Sequence, residues 1–373
     1  MKNKLDSIEA AIDDIKAGRV VIVVDDEDRE NEGDFVAAAE KCTPQMINFM
    51  ATHGRGLICT PITESRAKEL QLDLMVGKNT DPHETAFTIS VDFNGAGNTT
   101  GISASDRANT VRALVNPDTN PEDLTRPGHI FPLKARKGGV LRRTGHTEAA
   151  IDLARLAGLQ PAGVIVEIMN EDGTMARLPQ LYEIADKFDL KLISIEDLIS
   201  YRMDHESLIE KESVTKIQDG DDEYKLSIYK QTTTGEKHIA LTKGTWNIEE
   251  EVPVRVHSSY LSGDILSSCD CHAGPELFAA IKKIGSEPKG VLLYMQQENM
   301  QHKVGKDTAT PSGIDAIDAK LENKKMDPRD YGVGAQILRD LGVRKMRLMS
   351  NKKTKRTGIV GYGLEVCSYT PLY

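Results

Sequence analysis

The stretch from Val21 to Asp34 reads V-I-V-V-D-D-E-D-R-E-N-E-G-D, a short β-branched run followed by seven carboxylates around one cation, Arg29. Like charges at this density repel one another in a folded loop unless a cation lies among them. In an extended segment, residues two apart share a face, so Glu30, Glu32 and Asp34 can converge while Arg29 points elsewhere. The stretch therefore predicts a buried strand that leads into a site for a divalent metal or a polar substrate.

A second interpretation of this stretch is a solvated acidic loop, the usual fate of a run of like charges. Two features favour a packed element instead. The apolar segment Phe35–Ala39 follows the acidic run directly, and Gly33 lies inside it. We favour the site, and the solvated loop stays open as the alternative.

The composition limits the classes of protein to which the chain can belong. Its 373 residues predict two domains, at roughly 150 residues each. A net charge of −10 argues against a general nucleic-acid binder and against attraction to anionic membranes. No apolar run approaches the ~18 residues of a membrane span. The five cysteines are sparse and odd in number, which argues against a disulfide framework, and the N-terminus lacks the apolar core of a signal peptide. We expect a cytoplasmic protein.

Helical and strand patterns interleave along the first 200 residues, with short links. The helices are predicted at Ser7–Ala17, Thr43–Thr52, Asp106–Val115, Thr147–Ala157, Leu181–Phe188 and from Glu196 onward. The strands are predicted at Val21–Val24, Gly56–Thr60, Phe87–Phe93, Val164–Met169 and Lys191–Ile195. This alternation predicts α/β or α+β layering around one core. The mostly charged segment Met203–Asp222 is interpreted as a link between a first domain, residues 1–205, and a second, residues 206–373.

The second half begins a new set of elements, which predicts another mixed α-β layered domain. A hairpin is expected around Thr234-Gly235, between Lys225–Lys230 and His238–Leu241. Further strands are predicted at Val252–Val256, Gly290–Met295 and Lys345–Met349, and helices at Pro275–Ile284 and Tyr331–Leu341.

Two residues of the first half carry acid–base potential. His129 lies in R-P-G-H-I-F-P-L, between rigid turn chemistry and an apolar anchor, although a lone histidine is more often structural than catalytic. Glu167 interrupts the apolar run V-I-V-E-I, which should be buried. A buried glutamate is rare without a partner, and burial raises its pKa toward that of a general base.

The segment R-T-G-H-T-E-A, Arg143–Ala149, places Gly145 and His146 at the start of a helix. Backbone N–H groups and the positive end of the helix dipole suit a phosphate there, and Arg143 adds charge. Plain helix capping by Thr147 is the alternative, and local sequence does not decide between the two. Together with the acidic stretch, this oxygen-rich set with one histidine suits Mg²⁺ or Mn²⁺ better than zinc. A small, phosphorylated, hydroxyl-rich substrate fits it.

Several long motifs occur in one order along residues 4 to 203. They are D-D-E-D-R-E-N-E-G-D, T-G-I-S-A-S-D-R (100–107), R-P-G-H-I-F-P-L, R-T-G-H-T-E-A and P-A-G-V-I-V-E-I-M-N-E-D-G-T-M-A-R (161–177). This half resembles the 3,4-dihydroxy-2-butanone 4-phosphate synthases of riboflavin biosynthesis. The resemblance implies that D-ribulose 5-phosphate is converted to the butanone phosphate and formate, with one or two Mg²⁺ or Mn²⁺ ions per site.

The same resemblance implies a role for each matching residue and a homodimer with its sites near the subunit boundary. It implies Glu30 and His146 as metal ligands, and His129 and Glu167 as catalytic residues. The implied substrate contacts are Arg29, Asp34, Arg143, Thr144, Gly145, Thr147 and Glu167.

The second half resembles GTP cyclohydrolase II. The matching pieces are R-V-H-S (255–258), L-S-G-D (261–264), D-P-R-D-Y-G-V-G-A-Q-I-L-R-D-L-G (327–342) and G-I-V-G-Y-G-L-E-V (358–366). Within this resemblance Asp327 and Arg329 align with the proton acceptor and the nucleophile. Ser350 and Lys355 align with nucleotide-contact positions.

The chemistry-bearing pieces of that resemblance are altered. The family holds zinc with three cysteines, whose places here fall on Tyr260, Cys271 and Ala273 when the chain is counted without gaps. The family's G-Q-E-G-R-G-I-G loop is replaced by Q-E-N-M-Q-H-K-V, residues 297–304, without arginine or glycine. We therefore predict that this half binds no zinc and has lost GTP ring opening. The alternatives are a bifunctional enzyme with an altered zinc site, or a regulatory module for nucleotides or flavins.

Overall fold

In the computed structural model the chain divides into two compact units, Met1–His205 and Glu206–Tyr373. The structure describes residues 4–27, 29–81, 84–220, 222–258, 273–296, 332–351 and 359–373. Within these ranges each unit is built on a seven-stranded mixed sheet with helices packed on it. The predicted fold class, two mixed α-β layered domains, is confirmed. None of the helices in these ranges combines the length and the apolar character that a membrane span requires.

The first unit interleaves helices and strands as predicted. Its helices are α1 Ile8–Lys16, α2 Pro44–Phe49, α3 Glu64–Glu69, α4 Ala104–Val115, α5 His146–Leu156, α6 Leu178–Phe188 and α7 Ile195–His205. Its strands are β1 Val21–Val24, β2 Gly33–Ala38, β3 Cys59–Thr63, β4 Val91–Phe93, β5 Leu124–Ala135, β6 Gly163–Glu167 and β7 Leu192–Ser194. They lie in the order β4-β5-β3-β6-β2-β1-β7.

The centre of this sheet separates an apolar core from the face that carries the site. Ile22, Val24 and Phe35 point into the main core cluster, because alternate strand residues share a face. Their neighbours Val23 and Asp34 point to the opposite face and are paired across β1 and β2. Helix α5 packs against β2, β3, β5 and β6.

Two strand predictions of this half are only partly right. The expected strand at 56–60 is shifted to Cys59–Thr63, and the expected strand at 87–93 is confined to Val91–Phe93. The turn predicted around His129 is wrong, because that segment lies inside the 12-residue β5. The β4–β5 register shifts at this point, with Val91 opposite Ile130 and Asp92 opposite Thr125. Pro127 is tolerated at this irregularity, where no backbone N–H is needed to pair with the neighbouring strand.

The second unit contains the strands β8 Ile209–Asp219, β9 Asp222–Gln231, β10 Lys237–Lys243, β11 Glu251–Ser258, β12 Gly290–Met295, β13 Lys345–Met349 and β14 Glu365–Thr370. They lie in the order β14-β13-β11-β12-β10-β9-β8. Its described helices are α8 Ala273–Ser286 and α9 Gly332–Asp340. The predicted hairpin is the β9–β10 pair, with Leu241 opposite Leu226.

The prediction that Met203–Asp222 is a link is wrong. Most of this segment is β8, which pairs antiparallel with β9 at the edge of the second sheet. All β8 residues except Ile209 are exposed. Charged side chains are common on an exposed edge strand, so the composition that indicated a linker is equally compatible with an edge strand.

Candidate metal and substrate site

Three side chains of the first unit bring metal-ligand atoms together. One ligand atom each of Asp25, Glu30 and His146 lies within 4.8 Å of the others. Asp25 follows β1, Glu30 lies in the loop to β2, and His146 is the first residue of α5. The structure thus places together the two residues predicted as metal ligands and adds Asp25, which sequence reasoning did not single out.

The acidic loop is held together by Asp25 and Arg29. The Asp25 carboxylate accepts hydrogen bonds from the backbone N–H groups of Glu32, at 2.8 Å, and Glu30, at 3.2 Å. The Arg29 guanidinium donates to Asp25 and lies 2.9 Å from a Glu30 oxygen. The expectation that Arg29 points elsewhere is therefore wrong, because its charge is needed among the carboxylates. Asp25 and Asp34 are buried, which contradicts the interpretation of a solvated loop.

Two further carboxylates meet beside this loop. Asp34 lies directly opposite Glu167 on β2 and β6. Burial, and then the charge of Glu167, raises the pKa of Asp34 well above its usual value. Glu167 is only half-buried, at the end of β6, whereas the sequence predicted burial. Its carboxylate accepts a hydrogen bond from Leu57 N at 2.8 Å, and a Cβ at Gly56 would lie 2.4 Å from the same oxygen.

The start of α5 carries two guanidinium groups. A Cβ on Gly145, the N-cap residue, would lie 2.7 Å from Arg143 Nη1 and 3.4 Å from Arg29 Nη2. Arg143 is buried and donates to Glu148 at 2.6 Å. The Thr144 hydroxyl is buried and has no hydrogen-bond partner among the described residues. The helix begins at His146, so Thr147 is not its cap, and within the described chain α5 has no side-chain cap. The capping alternative is therefore wrong.

His129 is paired with an aspartate that sequence reasoning missed. Its Nδ1 lies 2.6 Å from Asp92 Oδ2, and its backbone N–H donates to Asp92 Oδ1 at 2.9 Å. Asp92 is buried, whereas the His129 side chain is 42% exposed. A Cβ on Gly101 would lie 2.1 Å from Asp92 Oδ2, so a glycine is needed beside this pair. No local signal marks Asp92, because its partner lies 37 positions along the chain.

The strand registers place His129 on the same level of the sheet as Glu167. Cys59 of β3 pairs with Phe131 of β5 and with Ile165 of β6. His129 and Glu167 are each two residues from those partners, toward the same end of β3. One strand, β3, lies between them, so two inter-strand spacings separate their backbones, about 10 Å.

Little of the second unit's predicted site lies in the described residues. Ser350 follows β13, and its backbone N–H donates to Thr370 O at 2.9 Å. Outside the described ranges lie Asp327, Arg329, Lys355, Tyr260, Cys269–Cys271 and residues 297–304.

Each of the two units matches a known protein family. Residues 9–201 match the family model of 3,4-dihydroxy-2-butanone 4-phosphate synthase. The chain belongs to this family. Residues 210–371 match the family model of GTP cyclohydrolase II. Both predicted resemblances are confirmed.

Similar full-length proteins extend over both units. The chain is 59% identical, over 99% of its length and 92% of the other, to riboflavin biosynthesis protein RibBA of Cytophaga hutchinsonii. It is 53% identical, with the same coverage, to RibBA of Porphyromonas gingivalis. Among solved structures it is similar to RibBX, a two-domain 3,4-dihydroxy-2-butanone 4-phosphate synthase from A. baumannii. That likeness has 40% identity, 98% and 99% coverage of the two chains, and a TM-score of 0.65.

A solved structure of 3,4-dihydroxy-2-butanone 4-phosphate synthase in complex with two magnesium ions is 43% identical to the chain. It matches 54% of this chain and 98% of that one, with a TM-score of 0.52. The predicted activity of the first half is confirmed by these relationships. The synthase is a lyase of riboflavin biosynthesis that converts D-ribulose 5-phosphate to 3,4-dihydroxy-2-butanone 4-phosphate and formate.

Proposed function

We propose that Glu30 and His146 hold the catalytic divalent cation of this synthase, Mg²⁺ or Mn²⁺, with Asp25 beside them. The observation that carries this proposal is the convergence of their ligand atoms within 4.8 Å. Burial lowers the pKa of His146, which favours the neutral imidazole that a metal requires. His146 Nε2 lies 3.1 Å from the carbonyl oxygen of Val23, so Nε2 carries the proton and Nδ1 keeps its lone pair for the cation.

The substrate phosphate binds at the start of α5. Arg143 and Arg29 supply charge there, and Gly145 allows close approach of an anion to the backbone. The buried hydroxyl of Thr144 gains a partner when phosphate binds, and Thr147 lies in the first turn. Asp34, on the sheet face that carries the site, contacts the hydroxyl groups of the sugar.

His129 and Glu167 move protons during the reaction. His129 Nδ1 donates to Asp92, so Nε2 is the atom that takes or gives a proton at the substrate. Glu167 provides a second acid–base group next to Asp34. A bound divalent cation supplies positive charge beside the oxygens on which negative charge develops after proton removal. Skeletal rearrangement and loss of formate follow.

The second unit has lost GTP ring opening and binds no zinc. Support comes from the sequence, where Tyr260 and Ala273 occupy two of the three cysteine places. A two-domain relative that covers 98% of this chain is named only as a synthase. The relatives named RibBA are the reason to test a bifunctional enzyme with an altered zinc site as the competing function.

The synthase is a homodimer with its sites near the subunit boundary. Its first unit exposes large apolar side chains in the loops beside β3, β4 and β5, namely Leu57, Leu74, Met75, Val76 and Ile102. Three of these residues, Leu74, Met75 and Val76, are consecutive, and neighbouring exposed apolar side chains are typical of a surface that another chain covers. Sedimentation velocity of the full chain measures this directly, and a monomer at micromolar concentration contradicts it.

The metal assignment is tested with the full chain after removal of divalent ions by EDTA. Formate release from D-ribulose 5-phosphate is then followed while Mg²⁺, Mn²⁺ or Ca²⁺ is returned. We expect no turnover without metal and recovery with Mg²⁺ or Mn²⁺. Undiminished turnover in EDTA contradicts the proposal.

A further inference from the structure

We infer that Arg202, near the end of α7, and Asp152, on α5, are positioning residues that hold the phosphate-binding segment Arg143–Thr147 in place at the start of α5. This inference rests on the proposed function, in which that segment binds the substrate phosphate. Both residues act through the turn Gly138–Leu141, which leads into the segment.

A buried ion pair lies at the centre of this arrangement. Asp152 Oδ2 accepts hydrogen bonds from Arg202 Nη1 and from Val140 N, each at 2.7 Å. The same Arg202 nitrogen donates to the carbonyl oxygen of Gly138 at 2.7 Å. Asp152 and Arg202 are 2% and 3% exposed, so water does not compete for these bonds. The pair thus binds the turn on both sides, through a donor at Val140 and an acceptor at Gly138.

The backbone conformation of the turn depends on two glycines. Gly138 and Gly139 have φ angles of +110° and +63°, which L side chains rarely adopt. A Cβ on Gly139 would lie 2.2 Å from either oxygen of Asp152, so the carboxylate occupies the space beside the glycine. Gly139 O then accepts the backbone N–H groups of Arg142, at 2.9 Å, and Arg143, at 3.0 Å. The position of the turn therefore determines the position of the Arg143 backbone.

A second carboxylate of α5 contacts the chain on both sides of the turn, at Arg136 and at Arg143, where the segment starts. Glu148 lies one helical turn before Asp152, so both side chains are on one helix face. Its Oε1 accepts Arg136 N at 3.0 Å, and its Oε2 accepts the Arg143 guanidinium at 2.6 Å. Because the start of α5 is also the anion site, these two carboxylates set the distance between Arg143 and the helix N-terminus.

The contacts of Arg202 distinguish a positioning role from simple support of the fold. Besides pairing α7 with α5, Arg202 donates a hydrogen bond to the backbone of the turn, at Gly138 O. Removing its head group leaves Asp152 with Val140 N and loosens the Gly138 carbonyl. The expected result is a misplaced Arg143 and weaker phosphate binding, whereas the proton-transfer residues on β5 and β6 are untouched.

The test is steady-state kinetics of the full chain loaded with Mg²⁺, with inorganic phosphate as a competitive inhibitor. In Arg202→Met we expect KM for D-ribulose 5-phosphate and Ki for phosphate to rise together by about tenfold or more, while kcat changes less than about threefold. Arg202→Lys should fall between this variant and the wild type, because an ammonium pairs with Asp152 but lacks the fork geometry. If Arg202→Met does not fold, Arg202→Lys carries the test alone.

Arg155→Met is the matched control. Arg155 also lies beside Asp152, with 3.9 Å between Nη2 and Oδ1, but its side chain is 42% exposed. We expect wild-type KM and Ki in this variant. A folded Arg202 variant with unchanged KM and Ki overturns the inference, as does one in which only kcat falls.

Arg143→Ala separates this inference from the proposed function. If Arg143→Ala leaves Ki for phosphate unchanged, the phosphate assignment itself is wrong. If Arg143→Ala raises Ki and the Arg202 variants do not, the phosphate site stands and only the positioning role fails.

Discussion

Asp34 and Glu167 lie opposite each other on neighbouring antiparallel strands, with the acidic loop at the same end of the sheet. Burial and the charge of Glu167 raise the pKa of Asp34, so this carboxyl binds a proton far more readily than an exposed aspartate. A carboxyl group that binds a proton readily can donate as well as accept a hydrogen bond, and here it lies beside the proposed metal ligands.

The acid–base assignment predicts large losses of turnover. His129→Ala and Glu167→Ala should each lower kcat by at least ~100-fold, the usual scale for a positioned proton-transfer group. The measurement is formate release at saturating D-ribulose 5-phosphate. His205→Ala is the control, because His205 is an exposed histidine at the end of α7. Variants that raise only KM would show that these residues bind substrate and do not transfer protons.

The metal assignment predicts that single ligands are indispensable. Glu30→Gln or His146→Ala should abolish formate release and leave the circular dichroism spectrum unchanged, because a hard-cation site that loses one ligand loses affinity. Glu122→Gln, the same substitution at an exposed carboxylate, should behave as the wild type. Wild-type turnover of either ligand variant at limiting Mg²⁺ would refute the assignment.

The second unit is predicted to be inactive toward GTP. The full chain should turn over D-ribulose 5-phosphate but release neither formate nor pyrophosphate from GTP, even with added Zn²⁺. Without three placed ligands no zinc-activated water forms near neutral pH, and a loop without arginine holds triphosphate poorly. Stoichiometric zinc together with steady GTP turnover would establish the bifunctional enzyme instead.

Cysteine reactivity should follow burial. Burial raises the pKa of Cys42 to about 12, and burial followed by the charge of Glu167 raises the pKa of Cys59 well above its usual value. Because the thiolate is the reactive form, both should resist iodoacetamide in the native protein at pH 8, whereas the exposed Cys367 is labelled. Peptide mass mapping identifies each site, and labelling in urea is the control. Native labelling of Cys59 as fast as Cys367 would contradict the described burial.

The elements with strong local patterns were predictable. The helix predicted at Ser7–Ala17 is α1, in which Ser7 caps the helix and Ile8, Ala11 and Ile15 are buried at helical spacing. The motifs of the first half likewise identified its family. Local hydrogen bonds and side-chain periodicity depend on residues near in sequence, so the sequence by itself determined these features.

The contacts that complete the site depended on tertiary structure. Asp92 and His129 are 37 positions apart, Asp152 and Arg202 are 50 apart, and neither aspartate lies in a motif that marks its partner. The orientation of Arg29 was misjudged from strand alternation, which does not apply because residues 25–32 form no strand in the described chain. The edge strand β8 was misjudged from charge, because charge pattern does not show whether a segment is a linker or an exposed strand. Pairing of distant segments is set by how the sheets and helices close around the cores, and this only the folded chain decides.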